Sequence, residues 1–186
     1  ASYYNPAYAG FERALGAGMS VRNQWGNTNG DYFYTYVFGD YFFDEYKSGG
    51  GLDFSYSDAN SGASTNFTVG ARYNYHLTLN KKWTTAIGLS ASYASVKMNT
   101  ERFVFEDQLN PSGGTTATSE NVGVIDSRGY FDLGIGTVFY VEEQTEFSLG
   151  LKHINFPHFK SLHDEKTPIK PMVSFSYCVA LTGANS

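Results

Sequence analysis

Apolar side chains alternate with small or polar ones, at period two, over long stretches of this 186-residue chain. Between residues 64 and 79 the odd positions read Thr65, Phe67, Val69, Ala71, Tyr73, Tyr75, Leu77 and Leu79. The even positions read Ser64, Asn66, Thr68, Gly70, Arg72, Asn74, His76 and Thr78. An alternation of that length predicts one long strand, since strands in globular sheets run ~5–6 residues. The same pattern recurs at Leu15–Trp25, Trp83–Tyr93, Phe131–Val141 and Val173–Leu181. Eight strands are expected, at about 12–25, 31–43, 50–57, 64–78, 83–96, 129–141, 145–156 and 171–182.

Strand length and strand ends separate two all-β architectures. A soluble sandwich with one wet face per sheet explains the alternation. A transmembrane barrel also explains strands of at least ~9–11 residues and aromatic girdles at both interfaces. Trp25, Tyr75, Trp83, Tyr93 and Tyr177 fall at or near the expected strand ends. The connections add a parity test. Leu79-Asn80-Lys81-Lys82 and Glu142-Glu143-Gln144-Thr145 are tight and share one side, while 97–128 and 157–170 are long and share the other. Outer-membrane barrels combine short turns on one side with long loops on the other. The expected fold is therefore an all-β, antiparallel transmembrane barrel of the outer membrane, with about eight strands here as part of a larger barrel. Strand two, Tyr32-Phe33-Tyr34-Thr35-Tyr36-Val37-Phe38, is aromatic on both faces, so a loop or a neighbouring protein is expected to cover its inner side.

Composition narrows the partners. Charged and aromatic residues each make up 17%, with fifteen Tyr, fifteen Phe and twenty Gly, and the net charge is −5. Clustered Lys and Arg for phosphate are missing, so nucleic acid is not an expected partner. A single Cys excludes a disulfide within the chain, and no apolar run reaches the ~20 residues of a spanning helix. Cys178 is expected to pack as a small side chain on the inner face.

Candidate chemistry is sparse. Gly16-Ala17-Gly18 and Gly134-Ile135-Gly136 lack the third glycine of a dinucleotide fingerprint, and Gly88-Leu89-Ser90-Ala91-Ser92 misses the nucleophile elbow by its last residue. His153, His158 and His163, with Asp164 and Glu165, sit between Pro157 and Pro168 at spacings that suit a loop better than a metal site. No catalytic residue, metal site or cofactor is expected. The alternation does place Arg22, Asp53, Arg72, His76 and Asp132 toward the interior, where charges must pair or meet water. Either an internal ion-pair network or a polar channel follows.

An ordered series of motifs resembles the PorP/SprF family of type IX secretion membrane proteins. It opens with Asn5-Pro6-Ala7-Tyr8-Ala9-Gly10 and Arg22-Asn23-Gln24-Trp25, then runs through Gly49-Gly50-Gly51-Leu52 and Tyr75-His76-Leu77-Thr78-Leu79-Asn80-Lys81-Lys82-Trp83. It continues with Phe105-Glu106-Asp107-Gln108, Tyr130-Phe131-Asp132-Leu133-Gly134-Ile135-Gly136 and Gly150-Leu151-Lys152-His153-Ile154. The resemblance implies a non-enzymatic outer-membrane barrel of Bacteroidota, working with the type IX secretion and gliding machinery. It further implies retention of a secreted cargo or adhesin C-terminal domain at the cell surface, contact with secretion and gliding subunits, and contact with outer-membrane lipid. Asn5, Pro6, Gly10, Arg22, Gln24 and Trp25 are the family-motif residues, and Phe105, Asp107 and Gln108 are candidates for partner contact in the long loop. Family chains begin with a signal peptide and run further, so residues 1–186 are expected to be a single barrel domain, the N-terminal part of a longer chain. A passive transport channel for small solutes or lipids is the alternative. A scaffold predicts a blocked lumen; a channel predicts a continuous path lined by the inward charges.

Overall fold

The computed structural model describes residues 3–11, 13–26, 30–99, 128–141, 145–160 and 164–178. A short 3-10 turn, Pro6–Tyr8, precedes strands β1 (Gly16–Gln24) and β2 (Tyr32–Phe43). After a second 3-10 turn at Asp44–Tyr46 come β3 (Ser48–Ala59), β4 (Ser64–Thr78), β5 (Trp83–Met98), β6 (Arg128–Val141) and β7 (Thr145–Lys152). A small hairpin, β8 (His158–Lys160) and β9 (Asp164–Lys166), leads into β10 (Lys170–Tyr177). Eight of these strands form one antiparallel sheet in the order β1-β2-β3-β4-β5-β6-β7-β10, curled into a half-barrel. Among the described residues there is no α-helix, and β1 and β10 are the two free edges.

Parity along β4 fixes which face is which. Phe67, Val69, Tyr73, Tyr75, Leu77 and Leu79 are exposed on the convex face, whereas Gly70, Arg72, Asn74 and His76 are buried on the concave one. This is the register expected from the alternation. The β3–β4 and β4–β5 ladders hold it without a break over their full lengths. From Phe67 to Leu79 the exposed row climbs twelve residues, roughly 40 Å of strand at ~3.3 Å per residue. Tilted by ~45°, that row spans roughly 28 Å, close to the ~25 Å apolar band of membrane barrels.

Aromatic rings mark both borders of the band. Phe54, Phe67, Tyr93 and Phe131 form a row across β3, β4, β5 and β6, with successive centroids 6.4, 6.1 and 5.2 Å apart. Toward the opposite border lie Tyr41, Phe43, Tyr73, Tyr75 and Trp83, all exposed. Trp25 and Tyr177 stand at strand ends as expected. Tyr93 does not, because β5 continues five residues beyond it to Met98.

Three further differences have local causes. β7 stops at Lys152 rather than 156, because His153 takes a left-handed backbone (φ 63) and starts a turn that Ile154 caps by donating to the Leu133 carbonyl. The segment 157–170, expected as plain loop, contains the β8–β9 hairpin. Cys178 follows the last residue of β10 and is exposed, not packed on the inner face. The tight turn at Glu142, Glu143 and Gln144 lies outside the described residues.

Candidate functional site

The N-terminal segment lies on the concave face of the half-barrel. Pro6 opens the 3-10 turn, a position where its missing N–H and fixed φ cost nothing, and Asn5 caps it by accepting from Ala7 N at 3.0 Å. The Asn5 amide then donates to the carbonyls of Thr137 and Leu149, paired residues of β6 and β7, at 3.2 and 3.3 Å. Asn74 fixes the other end of the turn. Its Nδ2 donates to the carbonyls of Ala7 and Ala9, both at 2.7 Å, and its Oδ1 accepts from Gly49 N at 2.7 Å. Asn74 is wholly buried, so all three of these bonds are made away from water. Tyr8 adds a hydroxyl donated to Glu146. Burial, and then that bond, raise the Tyr8 phenol above its ordinary range, which keeps the donor proton in place.

Glycines make the room. A Cβ on Gly49 would lie 2.8 Å from the Ala9 carbonyl carbon, and one on Gly88 would lie 2.5 Å from that of Pro6. Both clashes are with backbone, which a side-chain rotation cannot relieve. Gly10 has φ +64 and meets the Tyr41 carbonyl, so the chain turns there into the strand that follows. Ala7, Ala86 and Val138 form a small, fully buried apolar cluster, with Tyr8, Phe11 and Tyr140 packed around it. On the inner side of β2, Tyr3 packs edge-on against Tyr36 at 5.2 Å. The cover expected for that aromatic strand comes in part from the chain's own N-terminal segment.

A polar hollow of about 170 Å³ remains on the loop side of this segment. Arg72 Nε stands 3.3 Å from Asp53 Oδ1, and His153 Nδ1 stands 2.9 Å from Asp132 Oδ1. Lys152 Nζ lies 4.0 Å from the centroid of the Tyr3 ring, and Lys170 also lines the hollow. Of the five charged or titratable residues expected inside, Asp53, Arg72 and Asp132 meet here. His76 is buried apart from them, its Nδ1 3.0 Å from the Tyr140 hydroxyl and its ring against Phe42 and Phe11. Arg22 shares their parity but lies exposed on the edge strand β1. Among the described residues, no group of three or more His, Cys, Asp or Glu side chains is placed to hold a metal ion.

A family model described as "Type IX secretion system membrane protein PorP/SprF" matches residues 1–182. The chain belongs to the PorP/SprF family. No curated protein and no solved structure matches it. Membership makes it a membrane component of the type IX secretion system and implies contact with other components of that system.

Within this PorP/SprF chain the two halves of the opening motif have different surroundings. Asn5, Pro6 and Gly10 are buried on the concave face, whereas Gln24 is half-buried and Trp25 exposed at the end of β1. Phe105, Asp107 and Gln108 lie outside the described residues. The sequence does not single out Asn74 or Lys170, and Lys152 enters it only within the family-motif series. Asn74 and Lys152 sit on inward rows, but a neutral amide carries no charge signal, and Lys152 lay in the middle of a strand expected to continue past it.

Proposed function

We propose that this PorP/SprF chain contributes the wall of an outer-membrane β-barrel that acts as a non-enzymatic scaffold of the type IX secretion and gliding machinery. The barrel anchors a secreted cargo or adhesin C-terminal domain at the cell surface and contacts partner subunits through its long loop, at Phe105, Asp107 and Gln108. Lipid of the outer membrane covers the convex row of Phe67, Val69, Tyr73 and Leu77.

One observation carries the choice of scaffold over channel. The segment Tyr3–Phe11 occupies the concave face, held by buried hydrogen bonds from Asn5 and Asn74. A transport path wants an interior free of fixed backbone; a scaffold is compatible with a filled one. Co-purification from native membranes, with the bound proteins identified, tests the reading. Secretion-system subunits or a cargo C-terminal domain are expected with the wild-type protein and are expected to be lost when Phe105, Asp107 and Gln108 are replaced together by Ala. Steady ion currents through the purified protein in planar bilayers, with no protein partner recovered, would favour the channel instead.

A further inference from the structure

The hollow above the N-terminal segment holds buried polar atoms left unmatched among the described residues. The Arg72 side chain is only 3% exposed; Asp53 pairs with its Nε and the Tyr36 hydroxyl faces it, yet its Nη1 and Nη2 make no hydrogen bond of normal geometry among the described residues. A guanidinium carries five donors in a fixed planar fork, and a buried one is normally matched by acceptors. Asn66 Oδ1 is the opposite case, a buried acceptor with no donor, and Asn66 lines the same hollow. Lys152 and Lys170 add two cations, while Asp53 and Asp132 supply two anions already engaged by Arg72 and His153. Arg72, Lys152 and Lys170 together outnumber the two carboxylates by one.

We propose that this hollow binds an acidic polypeptide segment, its carboxylate held by Arg72 and Lys152 and its backbone N–H donated to Asn66 Oδ1. The planar fork of Arg72 matches a carboxylate with two parallel bonds. The unmatched acceptor favours a peptide over a bare anion, because phosphate at neutral pH carries only one or two O–H donors and a peptide offers an N–H at nearly every residue. Phosphate would also bring up to two negative charges beside Asp53 and Asp132, where a side-chain carboxylate brings one. A lipid headgroup fits poorly, since the hollow is on the concave face and the apolar band is on the convex one. Ser90, Ser92 and Thr68 line the same wall with further hydroxyl groups for the backbone. The proposal goes beyond the anchoring role, which stands or falls on the recovered partners alone.

Calorimetric titration of the full protein in detergent micelles tests it, with the peptide Glu-Glu-Glu as probe and Gln-Gln-Gln and inorganic phosphate as contrasts. Saturable binding of the acidic peptide is expected, at least tenfold tighter than either contrast. Arg72→Gln and Lys152→Gln are each expected to weaken it at least tenfold. Should Arg72→Gln fail to fold, Lys152→Gln, checked for native mobility on unheated gels, decides the matter. The proposal is overturned if the acidic peptide does not bind, if either contrast binds as tightly, or if folded Lys152→Gln binds it as the wild type does.

Discussion

Gly49 and Ala9, forty residues apart in sequence, touch backbone to backbone: a Cβ on Gly49 would stand 2.8 Å from the Ala9 carbonyl carbon. The contact exists only because β3 carries no side chain where the N-terminal segment crosses it. Gly49→Ala is therefore expected to unseat the segment and cost about 1–3 kcal/mol, the usual range for overpacking a tight interior. Gly39→Ala is its control, since the nearest atom to a Cβ there is 3.9 Å away. Denaturant unfolding in micelles should separate the two; equal midpoints would mean that the close approach is not part of the folded protein.

Asn74 supplies a donor to two carbonyls and an acceptor to one amide. Asn74→Ala leaves those groups unmatched, at about 1–3 kcal/mol for each buried group. Asn74→Asp is expected to be worse at neutral pH, because a carboxylate oxygen then faces the carbonyls of Ala7 and Ala9. Thermal loss of the compact form on unheated gels should rank wild type above Asn74→Ala and Asn74→Asp last. A variant Asn74→Asp as stable as wild type would contradict the assigned bonds.

These bonds also show where reading the sequence stops. The strand register was legible because Phe67, Val69, Tyr73 and Leu77 share one exposed face and Arg72 and His76 share the other. Period two is a property of the strand itself, so neighbours in sequence are enough to reveal it. What fills the concave face is a different matter. Parity puts Gly88 and Gly136 on inward rows without saying what lies against them; one meets the Pro6–Ala7 backbone and the other the Asn5 side chain. Nothing local to β5 or β6 announces a segment more than eighty residues upstream. The ion pair of Asp53 and Arg72 was half legible: parity put both inside, and only the ladder, which sets Asp53 opposite Gly70, puts them within reach.

Adjacent residues of β4 should respond oppositely to the same substitution. Val69 is exposed on the apolar convex face, inside the border marked by Phe67, and Thr68 lines the polar hollow. A cation at the lipid midplane costs about 2–4 kcal/mol, falling toward the interfaces, whereas a polar interior accepts one. Val69→Arg is expected to lower the yield of membrane-assembled protein well below that of Thr68→Arg. Equal yields would show that the convex face does not meet hydrocarbon.

The free edges make a further test. β1 and β10 end the sheet, and an unpaired strand edge in hydrocarbon leaves backbone groups that cost several kcal/mol each. Each edge is expected to pair with further strands or with another chain, not with the other edge. In the variant Val21→Cys/Phe175→Cys, with Cys178→Ser to remove the native thiol, oxidation should give no disulfide within one chain. A high yield of that cross-link would indicate a closed eight-stranded barrel.

Occupation of the concave face by the N-terminal segment is tested most directly by the accessibility of Ala7, which is fully buried between Ala86 and Val138. Ala7→Cys, in a Cys178→Ser background, is to be treated in native membranes with a small water-soluble maleimide. A seated segment predicts protection of this thiol, and at least tenfold faster labelling when Asn74→Asp is added. Rapid labelling without Asn74→Asp, at the rate of a cysteine placed at the exposed Ser61, would mean that the segment does not fill the interior of the barrel.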